Sequence, residues 1–222
     1  MSVDRRHRLP RLWSNTVLRD WAALCHGRVV NVSAGRDEDK QGGCYRDYFL
    51  NASEYVITNH APGTFRGFSG VEGEVLLDLE RPLPTALEGQ FDTVFNHTTL
   101  EHVFDFRLAT ANLCAMSRDL VILVVPCAQV QHDHADFGDY WRFMPAGVRR
   151  LLGENQMEVV FEASNPDCNA GVYLFVVGSR FPERWRPACE NFRPLVDVAS
   201  QIGAPTFLSR FVERLRHRFA RR

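Results

Sequence analysis

At 222 residues the chain is long enough to bury one substantial core with flanking elements, and too short for two ordinary domains. Hydrophobic residues make up 45% and charged residues 24%, which excludes a disordered or fibrous chain. A net charge of −1 offers no general attraction to nucleic acid, so no nucleic-acid partner is expected. The charge is uneven. Arg5, Arg6, Arg8 and Arg11 crowd one end and Arg210, Arg214, Arg216, Arg218, Arg221 and Arg222 the other, leaving the middle acidic by comparison. Cys25, Cys44, Cys114, Cys127, Cys168 and Cys189 form no C-x-x-C pair, a pattern of reduced thiols rather than a disulfide scaffold. No apolar stretch follows the basic N-terminus, and the longest apolar run, Leu120 to Val125, is far short of a membrane span. A soluble, cytoplasmic protein is the expectation.

In chain order, Trp13, Val17, Trp21 and Leu24 recur at helical spacing before Gly27, which predicts a helix over 12–26. Arg28 to Val32 is a β-branched run that ends in the small residues Ser33, Ala34 and Gly35, a buried strand entering a turn. The stretch 36–43 is loop, and 45–51 suits a short helix. Glu54 to Thr58 and Glu74 to Leu77 are the second and third strands, separated by a glycine-bearing loop, and Phe91 to Phe95 is the fourth. Thr98-x-x-Glu101 reads as a capping box that opens a helical region to Ser117. Leu120 to Val125 is a fifth strand stopped by Pro126, and Gly147 to Glu154 is helical after Pro145. Glu158 to Ala163 and Val172 to Val177 are joined by Ser164, Asn165, Pro166 and Asp167, which suits an antiparallel hairpin. Apolar strands alternating with helices or loops imply a mainly parallel sheet covered on both faces, with ligands bound beyond the strands' carboxyl ends.

The residues at those strand ends carry a resemblance. Phe91-Asp92-Thr93-Val94 followed by Leu100-Glu101-His102-Val103, then Glu74 to Asp78 with Pro82-Leu83-Pro84, and Asp139-Tyr140-Trp141-Arg142-Phe143-x-Pro145 together resemble the class I S-adenosylmethionine (SAM)-dependent methyltransferases, in particular the type 11-like group. The resemblance implies an α/β, Rossmann-like fold: a mainly parallel seven-stranded sheet with helices on both faces and an antiparallel terminal hairpin. It divides the chain into a basic arm and helix over 1–27, a methyltransferase-like domain over 28–180, and a C-terminal extension over 181–222.

It implies SAM as cofactor, with Asn31, Ser33, Ala34, Gly35, Asn59, Asp78, Leu79, Asn96 and His97 around it. Asp78 with Leu79 matches the position that accepts from the adenine amino group, and Asn59 the position that meets the ribose hydroxyls. The family's Asp-x-Gly-x-Gly-x-Gly turn is here Asn31-Val32-Ser33-Ala34-Gly35-Arg36-Asp37 and keeps only the middle glycine. A side chain in a left-handed conformation there costs roughly 1–2 kcal/mol.

The polar segment 129–143 follows the fifth strand and reads as a lid over the acceptor. His132, His134 and Tyr140 are the candidate catalytic residues, and Asp139 and Arg142 the candidate substrate contacts. A proton released by the acceptor would pass to His132, His134 or His97. His132, Asp133, His134, Asp136 and Asp139 are the residue types of a metal site, but a polar loop collects such residues readily, and no metal is assigned. The implied reaction is methyl transfer to a small-molecule, glycan or natural-product acceptor. The altered turn supports an alternative, an inactive methyltransferase-like scaffold. Leu208, Phe211, Val212, Leu215 and Phe219 form an apolar stripe among arginines, suited to docking on its own domain or a second subunit in a homo-oligomer, or to a membrane surface.

Overall fold

A computed structural model describes residues 8–166, 171–189, 192–196 and 198. The basic residues before Arg8, the end of the hairpin turn at Asp167, and the apolar stripe of the C-terminal tail lie outside the described residues. Helix α1 spans Leu9–Ala22, with Pro10 in its first turn, where a missing N–H costs nothing. It starts and stops earlier than the aromatic spacing suggests, because the chain tightens after it: Leu24 N–H reaches Trp21 O and Cys25 N–H reaches Ala22 O.

The strands are β1 (Gly27–Val32), β2 (Ala52–Asn59), β3 (Glu74–Leu76), β4 (Phe91–His97), β5 (Ser117–Ala128), β6 (Glu158–Ser164) and β7 (Val172–Ser179). They form one seven-stranded sheet in the order β3-β2-β1-β4-β5-β7-β6. All pairings from β3 to β5 are parallel, and β7 runs antiparallel between β5 and β6. The order reverses between β1 and β4, the switch point where such sheets hold their ligands. Gly27 opens β1 at φ +78°, and a Cβ there would collide with Asp92, whose carboxylate accepts from Arg28 N–H at 2.7 Å.

Successive residues of β5 feed opposite faces. Val121, Leu123 and Val125 join Leu113 of helix α2 (Phe106–Met116) and Leu152 of helix α3 (Pro145–Glu154). Ile122 and Val124 join Leu18 and Trp21 of α1, together with Tyr45 and Phe49 around a 3-10 turn at Tyr45–Tyr48. That turn takes the place of the short helix expected over 45–51. Two buried clusters therefore sandwich the sheet, as the doubly covered pattern implied.

Two local readings need correction. Thr98 does not begin a helix. Its backbone is left-handed at φ 49°, the chain makes a 3-10 turn at Leu100–His102, and α2 starts only at Phe106, capped by Asp105 Oδ1 accepting from Leu108 N–H at 3.0 Å. Pro126 does not stop β5. The strand runs on to Ala128 because β4 has ended by then, its last pair being His97 with Val124, so Pro126 has no parallel partner to donate to. Among the described residues no helix is long and apolar enough to cross a membrane.

Candidate functional site

A cavity of about 690 Å³ opens at the carboxyl ends of the parallel strands. Ser33 enters it from the end of β1, Asn59 and His60 from β2, Asp78 and Leu79 from beyond β3, and Thr98 from β4. The segment after β5 supplies the facing wall, and Arg8 and Arg11 close it from the start of α1. The size is ordinary for a site that encloses a small molecule.

The turn after β1 keeps its shape despite the lost glycines. Ser33, Gly35 and Asp37, at the three positions where the resemblance expects glycine, have φ of 58°, 61° and 58°. Asp is among the residues that enter this region most readily. Asp37 is also tied down: Oδ1 accepts from Asn31 Nδ2 at 2.8 Å and from the Tyr55 hydroxyl at 2.7 Å, and Oδ2 from Arg46 N–H at 2.9 Å. Burial and this carboxylate push the Tyr55 hydroxyl well above its usual range. Asn31 thus faces the loop interior rather than the cavity.

Asn59 is likewise committed. Its Oδ1 accepts from Gly35 N–H at 2.7 Å, and its Nδ2 donates to Gly35 O at 2.9 Å and to Glu74 Oε1 at 2.6 Å. The residue placed by sequence at a ribose therefore clamps the β1 turn to β2, while still forming part of the wall. The side chain of Arg66 lies against Gly35, and burial lowers its pKa along with the like charges of Arg11, Arg8 and Arg36, against a raising effect from Glu38. One end of the cavity is accordingly cationic.

Ala34, Gly35, Asn96 and His97 are not on the cavity wall. Asn96 is fully buried and donates to Val32 O at 2.9 Å, a bridge between β4 and β1. His97 lies 2.9 Å from Ser14 Oγ, packed among Tyr45, Phe95 and Tyr173, and burial with Arg11 nearby drives its pKa well below the ordinary value. It does not reach an acceptor in the cavity. Asp78 does reach the cavity: Oδ1 accepts from Glu80 N–H at 2.9 Å, and Oδ2 lies 3.7 Å from both His60 and Arg81. Asn112 of α2 fixes this turn by donating to Leu79 O at 3.0 Å and Arg81 O at 2.8 Å.

On the facing wall, Asp139 and Arg142 turn to each other instead of to a substrate. Arg142 holds both carboxylate oxygens of Asp139 at 2.6 Å, and neither residue lines the cavity. Burial alone would raise the Asp139 pKa, but the bonds from Arg142 and from His132 N–H hold it down at about 2. His132, His134 and Tyr140 do line the cavity. His134 stacks on Phe137 and sits beside Phe65 and Asp136, while Tyr140 is half exposed against Phe104.

Glu101 lies beneath this wall with no exposed surface, and burial raises its carboxyl to about 8. His102 Nδ1 is 2.7 Å from Gly138 O, and burial lowers its pKa. Sequence reasoning missed Arg11, whose guanidinium donates to Tyr45 OH and to Thr98 Oγ1, each at 2.8 Å, and it missed Arg66, His60 and Asn112. Arg11 was counted only as part of a basic end. A β-branched Thr98 at positive φ is an outlier of the sort that clusters at functional sites, and no sequence pattern announces it.

No protein-family model and no curated protein matches the sequence. Solved structures do match. One is a chain of the complex containing the Trm112 methyltransferase activator of Haloferax volcanii, at 13% identity, covering 77% of this chain and 90% of that one, with a TM-score of 0.54. Another is the trans-methyltransferase CalH in complex with SAH, at 14% identity, covering 76% of this chain and 57% of that one, with a TM-score of 0.53. A third is the CMeT domain of the citrinin polyketide synthase, at 11% identity, covering 70% and 46%, with a TM-score of 0.51. This chain spans only about half the length of the last two. At such identities the likeness is one of architecture: the protein has the fold of the class I SAM-dependent methyltransferases.

Proposed function

We propose that this protein transfers a methyl group from SAM to a small-molecule acceptor, as a member of the type 11-like group that its Asp139 to Pro145 segment resembles. The observation that carries the reading is the convergence of Ser33, Asp78, Leu79 and Thr98 on one cavity at the switch point of a methyltransferase-type sheet. The donor set suits the cofactor: a carboxylate at Asp78 for an adenine amino group, apolar Leu79 beside it, and Arg66 and Arg11 at the end where an amino-acid carboxylate would lie. Bound there, SAM would supply a sulfonium-linked methyl group to a nucleophile.

The chain's own part is mainly positioning, since holding two reactants in line accounts for most of such a rate gain. His134 and Tyr140 present polar atoms on the facing wall, where they orient the acceptor, and His134 takes its proton if it carries one. Calorimetric titration with SAM and with its demethylated product tests the reading. Asp78→Ala should weaken binding about 10- to 150-fold, the equivalent of a charged hydrogen bond worth about 1.5–3 kcal/mol. Unchanged affinity in that variant would overturn the placement of the adenine.

One observation favours a second reading, a methyltransferase-like binding protein without turnover: the Asn59 amide is spent on Gly35 and Glu74. Tight product binding with no methyl transfer to any acceptor would select it.

A further inference from the structure

We propose that Glu101, His102 and His132 form a binding site for one divalent transition-metal ion at the foot of the acceptor wall. One donor atom from each lies within 4.8 Å of the other two. Neighbouring ligands bound at about 2.0–2.2 Å around one ion sit about 3.0–3.6 Å apart, so side-chain rotations of about an ångström close the set. Two imidazoles with one carboxylate suit zinc, manganese or iron(II) better than magnesium or calcium, which prefer all-oxygen shells.

Independent features point the same way. Both carboxylate oxygens of Glu101 are buried without a hydrogen-bond partner, although the side chain has no exposed surface. Such a group is costly unless something cationic or donating completes it. The nearby arginines are engaged elsewhere: Arg142 with Asp139, and Arg11 with Tyr45 and Thr98.

The tautomer of His102 is set by its neighbour. Nδ1 faces the Gly138 carbonyl at 2.7 Å, which only accepts, so the proton is on Nδ1. The Nε2 lone pair is then directed to Glu101, whose Oε1 is 3.8 Å away. Carbonyl-oriented imidazoles are the usual second support of metal-bound histidines. His132 comes from the segment after β5, its ring edge-on to that of His102. Its N–H is held by Asp139 at 2.9 Å, and its Nδ1, 3.2 Å from the same carboxylate, is misaligned for a hydrogen bond. His102 and His132 also line the cavity, so the open positions of the ion face it and take water or an acceptor oxygen. The loop cluster noted in the sequence contributes His132 but not His134, which pairs with Asp136 and the Phe65 and Phe137 rings.

The test uses the full chain stripped with chelator, titrated with Mn²⁺ and read by loss of the free-ion paramagnetic resonance signal, then with Co²⁺ read by its visible absorption. One equivalent should bind. Uptake should fall at least tenfold in Glu101→Gln and in His132→Asn and persist in His134→Asn. Thermal unfolding should rise by about 5–10 °C at a hundredfold excess of ion over its dissociation constant. Without metal, Glu101→Gln should unfold no lower than the unmodified protein, which separates loss of a ligand from loss of the fold. His132→Asn gives the same readout should Glu101→Gln fail to fold. No stoichiometric uptake, or uptake equal in the Glu101 and His132 variants to that of the unmodified chain, would overturn the site. SAM titration is a separate measurement, so metal binding and the methyl-transfer reading can fail independently.

Discussion

Asp37→Gly would return glycine to a backbone position at φ 58°, where a side chain costs roughly 1–2 kcal/mol. If the turn after β1 were only decayed, that change would stabilise the protein. The structure predicts the opposite. The Asp37 carboxylate accepts from Asn31 Nδ2 and the Tyr55 hydroxyl in buried bonds and from Arg46 N–H in a part-buried one, at 2.7–2.9 Å. Hydrogen bonds to a charged group are worth about 1.5–3 kcal/mol each, but bonds sharing one acceptor are not additive, so a joint loss of about 3–5 kcal/mol is reasonable. Subtracting the relieved strain leaves a net loss of about 1–4 kcal/mol. For a domain of this size that lowers the melting temperature by about 2–16 °C. Ser33→Gly is the matched control. Ser33 sits at the same φ of 58°, and only its backbone N–H is held, by Thr58 Oγ1 at 3.2 Å. It should stay within about 1 kcal/mol of the unmodified protein, since strain relief and greater unfolded-state freedom oppose each other. Differential scanning calorimetry on both variants decides the matter. Equal melting temperatures for the two, or a more stable Asp37→Gly, would refute the network argument.

Two further outcomes follow from buried polar groups. His97 is held neutral when folded, its pKa driven below the ordinary 6.5 or so by burial and Arg11, whereas the unfolded chain takes up that proton as pH falls through about 6.5. The unfolded state then binds more protons, so the stability linked to His97 is complete above that pH and declines below it. The difference in melting temperature between the unmodified protein and His97→Gln should be flat above pH 7 and shift against the unmodified protein toward pH 5; a constant difference would show ordinary titration. Asn112→Ala removes the two bonds to Leu79 O and Arg81 O and should cost about 1–3 kcal/mol. It should also weaken SAM binding in calorimetry without any ligand contact of its own, and undiminished affinity would detach that turn from the site.

Much of the fold was legible because burial leaves a periodic trace. The runs at Val29 to Val32, Phe91 to Phe95 and Leu120 to Val125 each send apolar residues to both faces, as strands inside a two-sided sheet must. The small-residue turn at Ser33 to Gly35 and the Asp78 turn were marked by composition and order. Thr98 was misread because a capping box is a local pattern, while its actual partner is Arg11, far away in sequence. Asp139 and Arg142 were read as substrate contacts, whereas they pair with each other off the cavity wall; a charged pair in a loop looks the same in sequence whether it meets a ligand or its own neighbour.

The amino-acid order by itself determined the strands, their order in the chain and the segments that fall at the sheet's carboxyl edge, since these follow from hydrophobic period and turn chemistry. The tertiary structure alone decided which polar groups meet. It spent Asn59 on Gly35, sealed His97 behind Ser14, and left the Glu101 carboxylate without a donor opposite two imidazoles. Hydrogen bonding and desolvation act over a few ångströms, between groups that the chain separates by tens of residues, and that pairing exists only once the sheet has brought the loops together.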